Sequence, residues 1–453
     1  LPYSLDRIKA RFSYEKDRVK IESFSGRHDL TKVRAKGYVV CPSRGVWVVH
    51  LTEFFADDLV LNRQFRQALP ADLRSVIEQL DPHGPISLVG PLEFRGGIEP
   101  PAAVTAAWNL TAHLSGNQIT TGVDLKNVNG RVSSRGTWDG RRAEMSGKVD
   151  IDSVWVWGYQ FTKLRGPYQL DGNRLTVGSP KALRHVPRGT RLKPIPLTDR
   201  LTARAIGGIF TLDAVIDLKD DPVYQLKLTM TQGLLEQYAR RYIRGRSSLK
   251  GVMTGWIDLS GHGNSAKNLK GHGRLQIRPA ALFELPVMAQ VFKLLSLTTP
   301  DKTAFYHAYT DFTVGKERFY FNTIDLLGNA VSLRGRGTAA FNGTLNLDFY
   351  SMIPRNSIPI PIIKDVVGGL TTGWVGVTVR GTVAAPIAQT RPLKSLDDAL
   401  RRFLGSFNPR RRGRGTPPRM VIPTLPFIQL PRRKSTPRRT TPRQTTPRRV
   451  PRS

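Results

Sequence analysis

The stretch VSLRGRGTAAFNGTLNLDF, residues 331–349, decides the fold. Val331, Leu333, Gly335, Gly337, Ala339, Phe341, Gly343, Leu345, Leu347 and Phe349 occupy every second position, and mostly polar residues such as Arg334, Arg336, Thr338, Asn346 and Asp348 fill the gaps. A period of two belongs to an extended chain with one buried face. Asn342-Gly343 interrupts it with residues that tolerate positive φ, as a tight connection requires. The stretch predicts two half-buried strands around a turn.

The pattern recurs outward from there. Met145, Val149, Ile151, Trp155 and Trp157 repeat it, as do Phe210 to Leu218, Tyr224 to Met230, and Val375, Val377 and Val379. Asp139-Gly140, Asp171-Gly172 and Asp220-Asp221-Pro222 supply the turns. Helical stretches of the length that links parallel strands are missing, so the expected fold is mainly β, an elongated antiparallel sheet of repeating hairpins with a few short helices. Such a sheet is wetted on one face. A sandwich, or a sheet curled around an apolar groove, would shelter the other, and periodicity alone leaves both open.

Four short helices are expected. Leu61, Phe65, Leu69, Leu73 and Ile77 place one or two between Leu59 and Leu80, broken at Pro70. Leu234, Tyr238 and Tyr242 form a second stripe, near 234–243. Pro286 opens a third over 286–297, with Val287, Met288, Val291, Phe292, Leu294 and Leu295 around much of its circumference. Ile362 to Val367 gives the fourth. These helices are expected to cap or plug the sheet, with membrane contact as the alternative for the third.

The chain has 453 residues and a formal charge of +34. From Arg410 to Ser453 there are 14 basic and no acidic residues, leaving 55 basic and 35 acidic before it. Residues 405–453, rich in Arg, Pro and Thr, read as a disordered basic tail. Arg411, Arg412, Arg432, Arg433, Arg438, Arg439, Arg448 and Arg449 are its candidate contacts to an anionic surface. Residues 1–204 are expected to form N-terminal β-rich repeats and 205–404 a second β-region. No run is apolar for the eighteen residues that span a bilayer. The chain starts at Leu1 and reads as part of a longer polypeptide, with any anchor upstream.

Catalytic chemistry finds no foothold. The eight histidines lack metal-ligand spacing, and a single cysteine, Cys41, reads as a small buried hydrophobe. Asp57-Asp58 reads as a helix N-terminal cap. No phosphate loop, nucleophile elbow or dinucleotide fingerprint stands in a suitable context, so neither an enzyme nor a cofactor is expected. Trp155 and Trp157 have no Arg or Lys cluster beside them in sequence, which argues against nucleic acid.

The order of motifs from Leu249 to Thr382 carries a resemblance. Leu269 to Ile277 contains Gly271-His272-Gly273, a proline-led helix follows near Pro286, and Ile324-Asp325-Leu326 precedes Val331 to Thr338 with its second glycine pair. This order resembles the C-terminal region of AsmA-like bacterial envelope proteins, clearly over 205–390 and more loosely over 1–204. The resemblance implies a β-taco groove in the periplasm of a Gram-negative-type cell, anchored to the inner membrane from upstream and serving lipid transport and outer-membrane biogenesis. Its groove lining would be Val331, Leu333, Phe341, Leu345, Leu347, Phe349, Val375, Val377 and Val379, and its partner phospholipid or a membrane surface. A non-catalytic scaffold or assembly factor, contacting an envelope protein or anionic wall polymer, is the alternative.

Overall fold

The computed structural model describes residues 3–391, apart from 44, 98–103, 121–123, 157, 185–192, 219–220, 243–248, 264, 283–285, 295–304, 329–331 and 353–373. All described residues lie in one compact unit, Leu1–Phe407, whereas the second unit, Asn408–Ser453, lies outside them, as do the eight tail arginines, the 362–367 helix, Val331 and Leu295.

The chain runs β1 (Asp6–Glu15), β2 (Arg18–His28), β3 (Thr31–Ser43), β4 (Val46–Leu59), α1 (Arg63–Ala68), α2 (Ala71–Leu80), β5 (Pro82–His83), β6 (Ile86–Val89) and β7 (Leu92–Gly97). It continues with β8 (Thr105–Thr120), β9 (Asp124–Trp138), β10 (Ala143–Val156), β11 (Tyr159–Asp171), β12 (Arg174–Val177), β13 (Leu201–Ala205), β14 (Gly208–Asp217), β15 (Val223–Leu234) and α3 (Leu235–Tyr242). Last come β16 (Lys250–His262), β17 (Lys270–Ala281), α4 (Pro286–Leu294), β18 (His307–Gly315), β19 (Arg318–Leu327), β20 (Ser332–Ala340), β21 (Thr344–Met352), β22 (Trp374–Thr382) and β23 (Pro386–Arg391).

These strands form a single antiparallel meander in which strands next along the chain are bonded to each other, except that the two-residue β5 pairs with β8. Two strands are composite. β6 and β7, broken at Gly90 and Pro91, fill the place between β4 and β8. Likewise β12 and β13 share the place between β11 and β14, so the sheet passes position 204 without a break.

The turn chemistry is local. Asp139 Oδ1 accepts from the backbone N–H groups of Arg142 and Arg141 at 2.7 and 2.8 Å, which also holds its carboxyl below the usual range. Asn342 Oδ1 takes the N–H of Thr344 at 3.0 Å in the turn that joins β20 to β21.

Two sequence expectations need correction. Asp57 and Asp58 do not cap a helix, because β4 runs through them to Leu59; Asp57 pairs with Arg34 at 2.8 Å across the sheet, and the cap is Asn62, whose side chain accepts from Phe65 N. Cys41 is exposed on β3 rather than buried.

The sheet is curled, and α2 demonstrates it. Ile77 packs against the buried cluster that contains Val33, Ala56 and Ile86 of β3, β4 and β6. Val76, in contrast, is buried in one cluster with Leu170 of β11, against which Leu73, Leu80, Leu175 of β12 and Ile216 of β14 also pack. On a flat sheet, β6 and β12 stand five strand spacings apart, roughly 24 Å. A helix about 10 Å wide touches both only if the sheet folds around it.

Candidate functional site: an apolar trough across the strands

Directly opposed residues of neighbouring antiparallel strands share a face, so the register identifies what the curled sheet encloses. Gly26, Val33, Ala56, Leu88, Ala112, Val132, Val149 and Gly166 stand opposite one another from β2 to β11. Gly166 abuts the backbone of Leu201 on β13. From there the line continues through Leu212, Leu228, Ile257, Gly273, Phe312, Phe321, Gly337, Leu347, Val379 and Ala388 on β23. Every position is apolar or glycine. At about 4.8 Å per strand, this floor follows roughly 85 Å of curved sheet.

Glycines in the floor have a steric reason. A Cβ on Gly273 would lie 2.6 Å from Phe312 Cζ, and one on Gly136 would lie 2.5 Å from Trp108 Cζ2. Each ring therefore lies down over the glycine opposite it. With a side chain beneath, the ring would be lifted into the trough.

The other face is polar and ion-paired. Asp150 on β10 stands between Arg165 and Arg131 of the two adjacent strands, at 2.7 and 3.0 Å. The hydrogen bond from Arg165 above all, with that from Arg131 helping, holds its carboxyl below the usual carboxylate range, against an opposing effect of desolvation that outweighs the Arg131 bond alone. Arg334 and Asp325 pair at 2.6 Å, and Lys36 and Glu53 at 3.1 Å. An exposed pair such as Lys36–Glu53 contributes little stability individually, but the placement of all these pairs keeps charge off the apolar face.

The trough is unevenly filled. Leu333, Leu345, Leu347, Phe349, Val377 and Val379, predicted to line a groove, are brought together and buried, in one core with Met288 and Val291 of α4. That helix leaves β17 and comes to rest on β22 and β23, with Val287 and Leu294 half-buried at the same core. Phe341 stands apart, 40% exposed at the β20–β21 turn, its ring 5.2 Å from that of Phe319. Nothing is described of the side chains of Phe292 and Val375. By contrast Leu88, Ala112, Val132, Val149, Leu212, Leu228, Ile257, Phe312 and Phe321 are only half-buried. The sequence drew attention to the enclosed end; the more accessible floor lies toward the middle of the sheet.

Two clefts adjoin the sheet. One, of about 660 Å³, crosses from β3 to β11, and its exposed lining includes the polar residues Asn109, Arg135, Thr137, Glu144, Gln169 and Asp171. The other, of about 400 Å³, is lined by Trp155, Gly158, Tyr159, Gln160, Ile206, Gln237 and Arg240. Sequence reasoning missed it because its residues come from segments about eighty positions apart. Among the described residues no three His, Cys, Asp or Glu side chains gather as a metal site; His262 pairs instead with Asp221 at 3.0 Å, and the His272 ring meets Trp256 edge-on.

No protein-family model, curated protein or solved structure matches this chain. Among the described residues no helix is long and apolar enough to cross a membrane.

Proposed function

We propose that the chain handles lipid, sheltering acyl chains on the trough floor as they are held or moved between membranes of a cell envelope. The observation that carries this reading is the unbroken line of apolar residues and glycines from Gly26 to Ala388, half-buried through much of its length. A sheet that only needed a core would gain most by closing over such a floor. Each sheltered methylene contributes about 0.8 kcal/mol, so a dozen are worth roughly 10 kcal/mol. The AsmA-like order of motifs from Leu249 to Thr382 supports the same reading, and with it a periplasmic location and an inner-membrane anchor.

The test uses half-buried floor positions, because Leu333 and Leu347 belong to the closed core. The full chain is purified, its lipid extracted, and uptake of labelled phospholipid from vesicles measured. Leu228→Gln with Ile257→Gln is expected to reduce both retention and uptake severalfold, while Thr229→Gln on the opposite face leaves them unchanged. A folded protein that carries no lipid and takes none up would overturn the reading.

One observation favours a second reading, a non-catalytic scaffold or assembly factor for outer-membrane proteins. The C-terminal strands close over their own side chains and α4, leaving Val291 and Val379 fully buried. Lipid-free protein in the experiment above would select it.

A further inference from the structure

The cleft of about 400 Å³ has a chemistry that the floor lacks. Three connections meet there: the β10–β11 turn with Gly158 at φ +76, the β13–β14 turn with Ile206 and Gly207 at φ +44 and +74, and the start of α3. Tyr159 stacks on Tyr238 at 5.8 Å and donates its hydroxyl to the Tyr238 carbonyl at 3.1 Å, which fixes one wall. Ile206 packs against the core of the C-terminal strands, so the cleft opens at the rim of the apolar face. Trp155, 37% exposed, also lines it.

Gln237 and Arg240 supply the polar side. They lie three residues apart on α3, hence on one helix face, and both are exposed. Among the described residues, Arg240 pairs with no carboxylate, whereas Arg165, Arg200 and Arg274 are matched by Asp150, Asp213 and Asp311. Downstream of it the charges are of one sign, Arg241, Arg244, Arg246 and Lys250, with no Asp or Glu before Asp258; on its upstream side Glu236 lies four residues before it on α3. Trp and Tyr favour boundaries where one end is apolar and the other wet, and a guanidinium binds phosphate oxygens in a planar fork.

We propose that this cleft seats the phosphate-bearing headgroup of a net-anionic phospholipid, with Arg240 on the phosphate, Gln237 beside it, and the hydrocarbon passing over Ile206 onto the trough floor. The proposal rests on the lipid reading and adds headgroup selection to it.

The test incubates the full chain with phosphatidylcholine vesicles doped equally with phosphatidylglycerol and diacylglycerol of the same acyl chains. The repurified protein is extracted and both dopants are quantified. The expected result is an excess of phosphatidylglycerol of roughly tenfold, the factor one charge-assisted hydrogen bond supports. Arg240→Gln should bring the ratio most of the way to that of the vesicles with total lipid unchanged, and Arg240→Lys should keep part of the preference. The arginine-rich tail is common to all three proteins, so its attraction to anionic lipid cancels in the comparison. An identical ratio in wild type and Arg240→Gln overturns the headgroup site and leaves the trough reading standing. Absence of every lipid from both overturns the trough reading itself. Titration with inorganic phosphate is the remaining arm: saturable binding that Arg240→Gln abolishes, in a protein showing no lipid preference, makes this a free-anion site and overturns the assignment to phospholipid.

Discussion

Asp213 Oδ2 accepts a hydrogen bond from Arg200 Nε at 2.7 Å, and this pair fastens the chain between β12 and β13 onto the polar face of the sheet. Leu212 and Ala214 point to the trough side, so Asp213 points away from it, yet it is fully buried. The segment that leaves β12 covers it; Arg200 Nη2 donates to the same carboxylate oxygen as Nε, and the N–H of Ser179 adds a third hydrogen bond to the carboxylate at 2.9 Å. Removing one partner of a buried pair strands the other. Asp213→Ala is therefore expected to lower stability by about 3–5 kcal/mol in chemical denaturation, whereas replacing both residues with apolar side chains should cost less.

Gly273→Ala forces the Phe312 ring off the floor. The expected loss is about 1–3 kcal/mol, the usual range for overpacking, read as a fall in the thermal midpoint. Gly315, where a Cβ would meet nothing within 4 Å, is the control; its alanine variant should lie within about 0.5 kcal/mol of wild type. Equal effects at the two sites would refute the steric account of the floor glycines.

Asn62→Ala removes the cap from α1 and leaves the Phe65 N–H without its side-chain acceptor. A loss of about 1 kcal/mol is expected. Because Phe65 and Ile77 pack on the same cluster, the loss should appear in hydrogen exchange as faster opening of α1 and α2, ahead of the surrounding strands.

His307 gives the protein a pH dependence of known sign. Burial first, and Arg278 second, push its pKa below the ordinary value of 6.5, with Asp325 acting in the opposite direction. The unfolded chain thus takes up this proton more readily than the folded one. Stability associated with the neutral ring is complete above pH 6.5 and declines as the pH falls below it toward the lower folded value. His307→Gln should flatten the stability profile over that interval, measured by denaturant midpoint at a series of pH values. An unchanged slope would locate the acid sensitivity elsewhere.

Much of this fold is legible in the sequence because antiparallel pairing between adjacent strands is a local matter. Alternation over residues 331–349 and the Asn342-Gly343 turn lead directly to β20 and β21. The site is less legible. Lys163 and Asn127 adopt positive φ inside strands, and such irregularities change which residues face the trough without any mark in composition. The closure over Val379 depends on a helix that leaves β17 and lands five strands later, a contact no periodicity encodes. Arg240 and Trp155 line one cleft for the same long-range reason.

The meander makes the length of the trough a countable quantity. One strand added or lost would reverse the direction of everything that follows, whereas a complete hairpin preserves both direction and facing. Change therefore comes in steps of two strands, roughly 9.6 Å of floor apiece. Each step must bring its own apolar or glycine rungs but need disturb only the strands at the splice. Reach, in such a molecule, is inherited as a number of hairpins.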